Sequence, residues 1–350
     1  MDGQGSRMSI MQVFFYGEAA GSRISSNVMF LNKIKSQESG VVLYGITPPK
    51  ADTTAERIAE IAQKTIERLA ALDIDALVVY DVQDESARTK EERPFPFLNS
   101  LDPLIFASEY LGTLDVPKII YRPAGKFSGE ELSEWLEALH KQSFYPVFVG
   151  VPAPDFPVKT SLPEAYKIWR KNEETSVIGA VTIPERHKVL QDEDVRILDK
   201  MESGVSYFIS QCVFNLEYAK QVIDDLALSC DRQQIAPPTI IFTITACGSE
   251  KTLHFMDWLG INVPEELKED LRKSDDMLER SVNICLDIAS ELTTFCMQRS
   301  IPFGFNIESV AIRKAEIEAS IYMASQISQM LKDRGVRKSV NTSKVIGTTT

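Results

Sequence analysis

Four carboxyl side chains stand where acid–base chemistry could be done. Asp81 closes the apolar run 76-ALVVYD-81, Asp84 and Glu85 follow it, and Glu308 follows 302-PFGFNI-307. A carboxyl in a partly dry pocket keeps its proton to higher pH and can act as a general acid near neutrality. Arg88, Arg93, Arg122 and Arg186 could hold an anionic tail or a diphosphate, because a guanidinium grips such groups bidentately. Plainer readings stand beside these. Asp81 and Glu85 could cap a helix or pair with Arg88 and Arg93, and Glu308 could cap the last helix.

Other chemistries find little support. The three histidines, His140, His187 and His254, have no metal-ligand spacing, so no metal site is expected. No glycine-rich nucleotide fingerprint, P-loop or nucleophile elbow is present. Cys247 follows an apolar run, but nothing in its neighbours marks a reactive thiol.

The carboxyls need elements to position them. Eight short β-branched runs recur: 41-VVLYGIT-47, 76-ALVVYD-81, 118-KIIYR-122, 146-PVFVG-150, 177-VIGAVT-182, 206-SYFISQ-211, 238-PTIIFTI-244 and 302-PFGFNI-307. Each is followed by a helical pattern. Strands alternating with helices pair in parallel, because a parallel neighbour needs a crossover. Eight such units predict an α/β fold, a single (β/α)8 TIM barrel over residues 41–333. Residues 1–40 form an N-terminal extension, in which Met29 to Ile34 is a short element covering the barrel bottom. Residues 334–350 are expected to be a flexible, disordered tail. Barrel chemistry sits at the strand C-terminal ends, where all four carboxyls lie.

Helix signals follow the strands. Asp52, Thr53 and Thr54 offer an N-cap to a helix through about Leu72, and a second helix begins near Ser128. The crossover between the last two strands holds helical patterns near 249–258, 264–271 and 275–299. The final helix is expected over 309–332.

A chain of 350 residues, 44% hydrophobic and 25% charged, suits one soluble domain. The net charge of −12 disfavours nucleic-acid partners. An odd count of five cysteines without a CxxC pair predicts a reduced protein. No apolar run long enough for a membrane span and no signal pattern are seen, so a cytoplasmic location is expected. A homo-oligomer is left open.

Three segments together resemble the methylenetetrahydrofolate reductase family, a flavin-dependent barrel. They are 44-YGITPPK-50, 184-PERH-187 and 200-KMESGVSYFISQCVFNLEYAKQVIDD-225. The last matches the family's Lys, Gly, Ile-Ser-Gln and Phe-Asn positions in type and spacing. The likeness runs from about residue 41 to 330. It implies FAD across the barrel top, NADH or NADPH as electron donor, and reduction of 5,10-methylenetetrahydrofolate to 5-methyltetrahydrofolate. By resemblance His187 and Lys200 contact the flavin, in a cofactor segment that includes Thr182, Ile183 and Glu185. Gln211 holds the folate pterin, since a side-chain amide offers donor and acceptor to a ring amide. Phe214 packs near it, and Tyr44 and Arg122 are further substrate contacts.

Three positions depart from the family. Its catalytic glutamate is Gly45, the aspartate that tunes the flavin is Val151, and the tyrosine that stacks on the flavin is Ile183. Any of Asp81, Asp84, Glu85 and Glu308 could then supply the acid. Two alternatives to a flavin reductase follow: a flavin-independent folate-binding enzyme of methyltransferase type, and a non-catalytic folate-binding or regulatory barrel.

Overall fold

In the computed structural model, which describes residues 26–86, 90–151, 156–172 and 176–338, the eight runs are eight strands. They are β1 Val41–Ile46, β2 Ala76–Val79, β3 Lys118–Pro123, β4 Tyr145–Val149, β5 Gly179–Thr182, β6 Tyr207–Cys212, β7 Thr239–Thr245 and β8 Phe303–Glu308. All neighbours pair in parallel, and β8 pairs with β1 to close the barrel in chain order. The expected (β/α)8 barrel is the observed fold.

Strand alternation divides the core in two. Val41, Leu43, Ala76, Val78, Ile119, Tyr121, Val147, Tyr207, Ile209 and Ile241 fill the interior. Their neighbours in sequence pack outward on the helices. Helix α1, over residues 26–35, plugs the bottom. Its Phe30 meets the rings of Tyr145 and Tyr207 at 5.0 and 6.1 Å, near the starts of β4 and β6.

The outer helices follow their sequence signals. Helix α2 is Ala55–Leu69, capped by Thr54. The short α3, Pro103–Ile105, continues as a π turn over Phe106–Tyr110. It was not expected, though Asp102 before Pro103 is an N-terminal signature: the Asp102 carboxylate accepts from Leu104 N at 2.8 Å. Helix α4, Gly129–Lys141, opens on a Ser128/Glu131 capping box and buries Leu132, Trp135, Leu136 and Leu139 at helical spacing. Then come α5 Leu162–Asn172, α6 Pro184–Leu190, α7 Glu193–Glu202 and α8 Leu216–Gln233. The long crossover holds α9 Glu250–Trp258, α10 Glu265–Lys273 and α11 Met277–Gln298. Helix α12 is Lys314–Asp333, so residues 309–313 form a loop and Glu308 caps no helix.

The segment read as a free tail is anchored at its start. Arg337 is buried, donates to Gly40 O at 2.9 Å, and pairs with Asp73 at 2.8 Å and with Asp75. Asp75 also accepts from Val42 N at 2.7 Å and pairs with Lys33 at 3.1 Å, joining α1, β1 and the chain end. Residues 339–350 lie outside the described part. Removing one partner of a buried charge cluster strands the others. Asp75→Ala is therefore expected to destabilise the fold by about 3 kcal/mol, read from urea denaturation. A loss below about 0.5 kcal/mol would mean that solvent screens the cluster.

Among the described residues, no helix is long and apolar enough to cross a membrane, and no group of three metal-ligating side chains is present.

Candidate functional site at the barrel mouth

Strand pairing decides which acid reaches the barrel axis. Gly45 on β1 lies in register with Glu308 on β8. A Cβ at Gly45 would stand 2.8 Å from the Tyr80 ring, 2.9 Å from the Tyr80 hydroxyl and 3.2 Å from Glu308 Oε2. The space that a β1 side chain would enter is therefore occupied by a carboxyl from the neighbouring strand and by a phenol from β2's exit. Glycine at 45 is what permits this close approach.

The Glu308 carboxyl is held from two sides. Asn306 Nδ2 donates to the Tyr80 oxygen at 2.7 Å, which leaves the Tyr80 O–H to donate to Glu308. The Cys212 thiol donates to Glu308 Oε1 at 3.3 Å. Burial pushes the Glu308 carboxyl above its ordinary range, although both hydrogen bonds favour the charged form. Burial, then the neighbouring Glu308, pushes the Tyr80 phenol and the Cys212 thiol well up, so both remain protonated donors. Tyr121 packs edge-on against Tyr80 at 4.8 Å. Asn306 Oδ1 is buried with no hydrogen-bond partner among the described residues.

Cys212 reaches the interior because β6 is irregular. Ile209 pairs with Ile241, yet Cys212 pairs with Thr243, so one extra residue is inserted on β6. The Ser210 hydroxyl stabilises the bulge: it accepts from Thr243 N at 3.0 Å and donates to Gln211 O at 2.7 Å. Gln211 is turned towards the crossover, where its Nε2 donates to Leu259 O at 3.0 Å. Three residues on in that segment, Asn262 N donates to Glu185 Oε1 at 3.4 Å. Burial pushes the Glu185 carboxyl up to about 7. The polar loop after β2 closes one side of the mouth. Its Arg93 sits over the Phe255 and Trp258 rings of α9 at 4.9 and 5.3 Å, and Trp258 Nε1 donates to Glu91 O at 3.1 Å.

Of the four expected acids, Glu308 is the one this geometry places on the interior. Asp81 pairs with Arg122 at 3.1 Å; burial pushes its carboxyl up and the guanidinium opposes this. Asp84 is exposed, and hydrogen bonds from Ser86 hold its carboxyl below the usual range. Glu85 is part-buried in the same loop, and Arg88 lies outside the described residues. Arg122 is buried against the Phe127 and Trp135 rings at 4.6 and 4.8 Å and bound to Asp81 and Asp102. It is an ion-pair anchor behind β3, not a cation open to a ligand. Tyr44 points outward, its hydroxyl 2.6 Å from Ser320 Oγ on α12. Phe214 is fully buried in the outer core. Alternation explains Tyr44, which falls on the helix-facing side of β1; Phe214 lies in the loop after β6.

The expected flavin contacts are engaged inside the protein. His187 is buried, with Nδ1 accepting from Glu193 N at 3.2 Å and Nε2 bonded to Asp225 at 2.8 Å. Lys200 Nζ donates to Val181 O at 2.7 Å, and burial pulls its amine down to about 8. Thr182 and Ile183 N both donate to the buried Glu193 carboxylate, at 3.0 and 2.9 Å. Arg186 pairs with that carboxylate at 3.5 Å. Val151 lies against Gly125, with Cγ1 2.4 Å from where a Cβ there would be. These residues do not fit a flavin held as the resemblance implies: its two polar contacts are committed internally and its tuning position is an apolar packing group.

Sequence reading missed Tyr80, Cys212 and Asn306. Tyr80 continues the inward alternation of Ala76 and Val78, so its direction was there to be read. Cys212 was not legible, because the bulge inverts the parity of β6.

The family model for methylenetetrahydrofolate reductase matches residues 169–325. A structure from Clostridium thermocellum is 43% identical, with TM-score 0.76, and the match covers 85% of this chain and 99% of that one. It is described as an uncharacterized protein that binds two copies of 5-methyl-5,6,7,8-tetrahydrofolic acid. More remote are a 2,3-dimethylmalate lyase (14% identity, TM-score 0.43, 77% and 98% covered) and a Xanthomonas albilineans dihydropteroate synthase (11%, 0.42, 85% and 94%). A comparison with curated proteins gives no match. The match to the family model and the bacterial relative of nearly equal extent agree: this chain belongs to the methylenetetrahydrofolate reductase family.

Proposed function

We propose that this chain binds a reduced folate in the barrel mouth and handles the one-carbon group on pterin N5 without flavin, with Glu308 as the proton carrier. The observation that carries the reading is the placement of Glu308. A buried carboxyl, pushed above its ordinary range by desolvation, occupies the space that the family's strand-one acid would enter, and Gly45 admits it. The 5-methyltetrahydrofolate bound by the Clostridium thermocellum relative supports a folate as ligand.

The chemistry is demethylation. A methyl group on a tertiary amine leaves poorly, because the nitrogen would depart as an amide anion. Protonation of N5 by Glu308 makes a neutral amine the leaving group. The methyl then passes to a nucleophile outside this chain, a thiolate or a low-valent cobalt centre. N5 keeps the proton, and Glu308 is left as the carboxylate, which Tyr80 and Cys212 stabilise by hydrogen bonds.

Flavin-dependent reduction of 5,10-methylenetetrahydrofolate with NADH or NADPH is the second reading, favoured by family membership. Absorbance spectroscopy and calorimetry separate the two. The first reading expects a colourless protein that binds 5-methyltetrahydrofolate and, given cob(I)alamin, forms tetrahydrofolate. A yellow protein that converts 5-methyltetrahydrofolate to the 5,10-methylene form would establish the second and overturn the first.

A further inference from the structure

We infer that Glu185 reads the amidine edge of the pterin, its carboxylate accepting from the N3–H and the 2-amino group while Gln211 takes the adjoining part of the ring. This rests on the folate reading and adds the residue that makes the site select a 2-amino pterin.

Three observations converge on Glu185. First, it shares a platform with Gln211: its Oε1 is bonded to Asn262 N at 3.4 Å, and the Gln211 amide to Leu259 O at 3.0 Å. Both side chains are thus fixed by the one short segment 259–262, itself tied to β6's exit by Asn215 Nδ2 donating to Asn262 Oδ1 at 2.7 Å. Second, Glu185 Oε2 is buried with no hydrogen-bond partner among the described residues. A buried carboxylate oxygen without a donor is costly, and a ligand donor would satisfy it. Third, the Cys212 thiol feels both the Glu308 and the Glu185 carboxyls. The two acids therefore lie within electrostatic reach of the same thiol.

The partners divide the hydrogen bonds without conflict. An ionised carboxylate accepts only, and the amidine edge of a reduced pterin donates from two adjacent nitrogens. Gln211 Nε2 has two N–H groups, of which one meets Leu259 O. The second suits the neighbouring ring carbonyl, which Glu185 leaves unbonded. Arg186, next in sequence to Glu185, pairs with Glu193 and so does not neutralise the carboxylate.

The charge state supports the assignment. Burial, and secondarily the Glu193 carboxylate, push Glu185 up to about 7. The titratable groups that face it are Glu193 on α7, the Cys212 thiol on β6 and, beyond that thiol, Glu308 on β8. Binding through an ionised Glu185 therefore strengthens as pH rises through neutrality, by roughly tenfold between pH 6 and 8.

The test is calorimetric titration of the full chain with 5-methyltetrahydrofolate and with its 2-desamino analogue. Wild type is expected to bind the analogue roughly 10- to 100-fold more weakly than the parent, the scale of one lost charge-assisted hydrogen bond. Glu185→Gln, nearly isosteric, is expected to bind the parent weaker by a similar factor. It is also expected to discriminate little between the two ligands and to lose the slope between pH 6 and 8. Equal binding of both ligands by wild type overturns the inference even if the variant fails to fold. Unchanged affinity in a folded Glu185→Gln variant also overturns it, while leaving the folate reading intact. A wild type that binds no reduced folate overturns both.

Discussion

Glu308→Gln is expected to lower demethylation of 5-methyltetrahydrofolate by about 10²- to 10⁴-fold, the usual contribution of a positioned general acid. The amide is nearly isosteric and keeps one oxygen to accept from the Tyr80 hydroxyl or the Cys212 thiol, so the mouth keeps most of its shape. It cannot deliver a proton to N5. Folate affinity should therefore change little, and the loss should appear in kcat. The pH profile gives a second signature. Burial raises the Glu308 carboxyl, so the protonated, active form persists below that raised value and is lost as pH climbs through it. Wild-type kcat should fall on the alkaline side, and the Gln variant should show no such limb. A variant with near wild-type kcat would remove Glu308 from the chemistry.

Gly45→Glu should be nearly as severe, although it restores the residue type that the resemblance places there. Its Cβ would strike the Tyr80 ring and hydroxyl within 2.9 Å and bring a second carboxyl against Glu308. Overpacking of this kind costs about 1–3 kcal/mol, and two adjacent carboxylates resist joint ionisation. Loss of folate binding and a lowered Tm are expected. Tyr80→Ala removes the struck ring, so the double variant should recover stability relative to Gly45→Glu alone, a coupling that a double-mutant cycle measures. If the two effects simply add, β1 and β2 do not compete for this space.

Much of the scaffold was legible, because it rests on local patterns. Apolar β-branched runs separated by 3.6-period helices admit few arrangements, and the Ser128/Glu131 and Thr54 caps could be read from residue type alone. The site was legible only in part. Glu308 was recognised as an acid, but its pairing with the vacancy at Gly45 depends on β1–β8 register, which links residues 263 positions apart. His187, Lys200 and Arg122 have the right chemistry for ligands. Their engagement with Asp225, the Val181 carbonyl, Asp81 and Asp102 comes from packing that no motif encodes. Tyr44 was assigned by motif likeness although strand parity turns it outward, and Phe214 packs into the outer core from the loop after β6. The bulge at Ser210 had no composition signal, and with it went Cys212.

The most direct test is a crystal structure of the full chain with 5-methyltetrahydrofolate. The pterin is expected inside the mouth with N5 within hydrogen-bond reach of the Glu308 carboxyl, about 2.6–3.2 Å, or joined to it through one water. A pterin bound elsewhere, with Glu308 still enclosed by Tyr80 and Cys212, would contradict it.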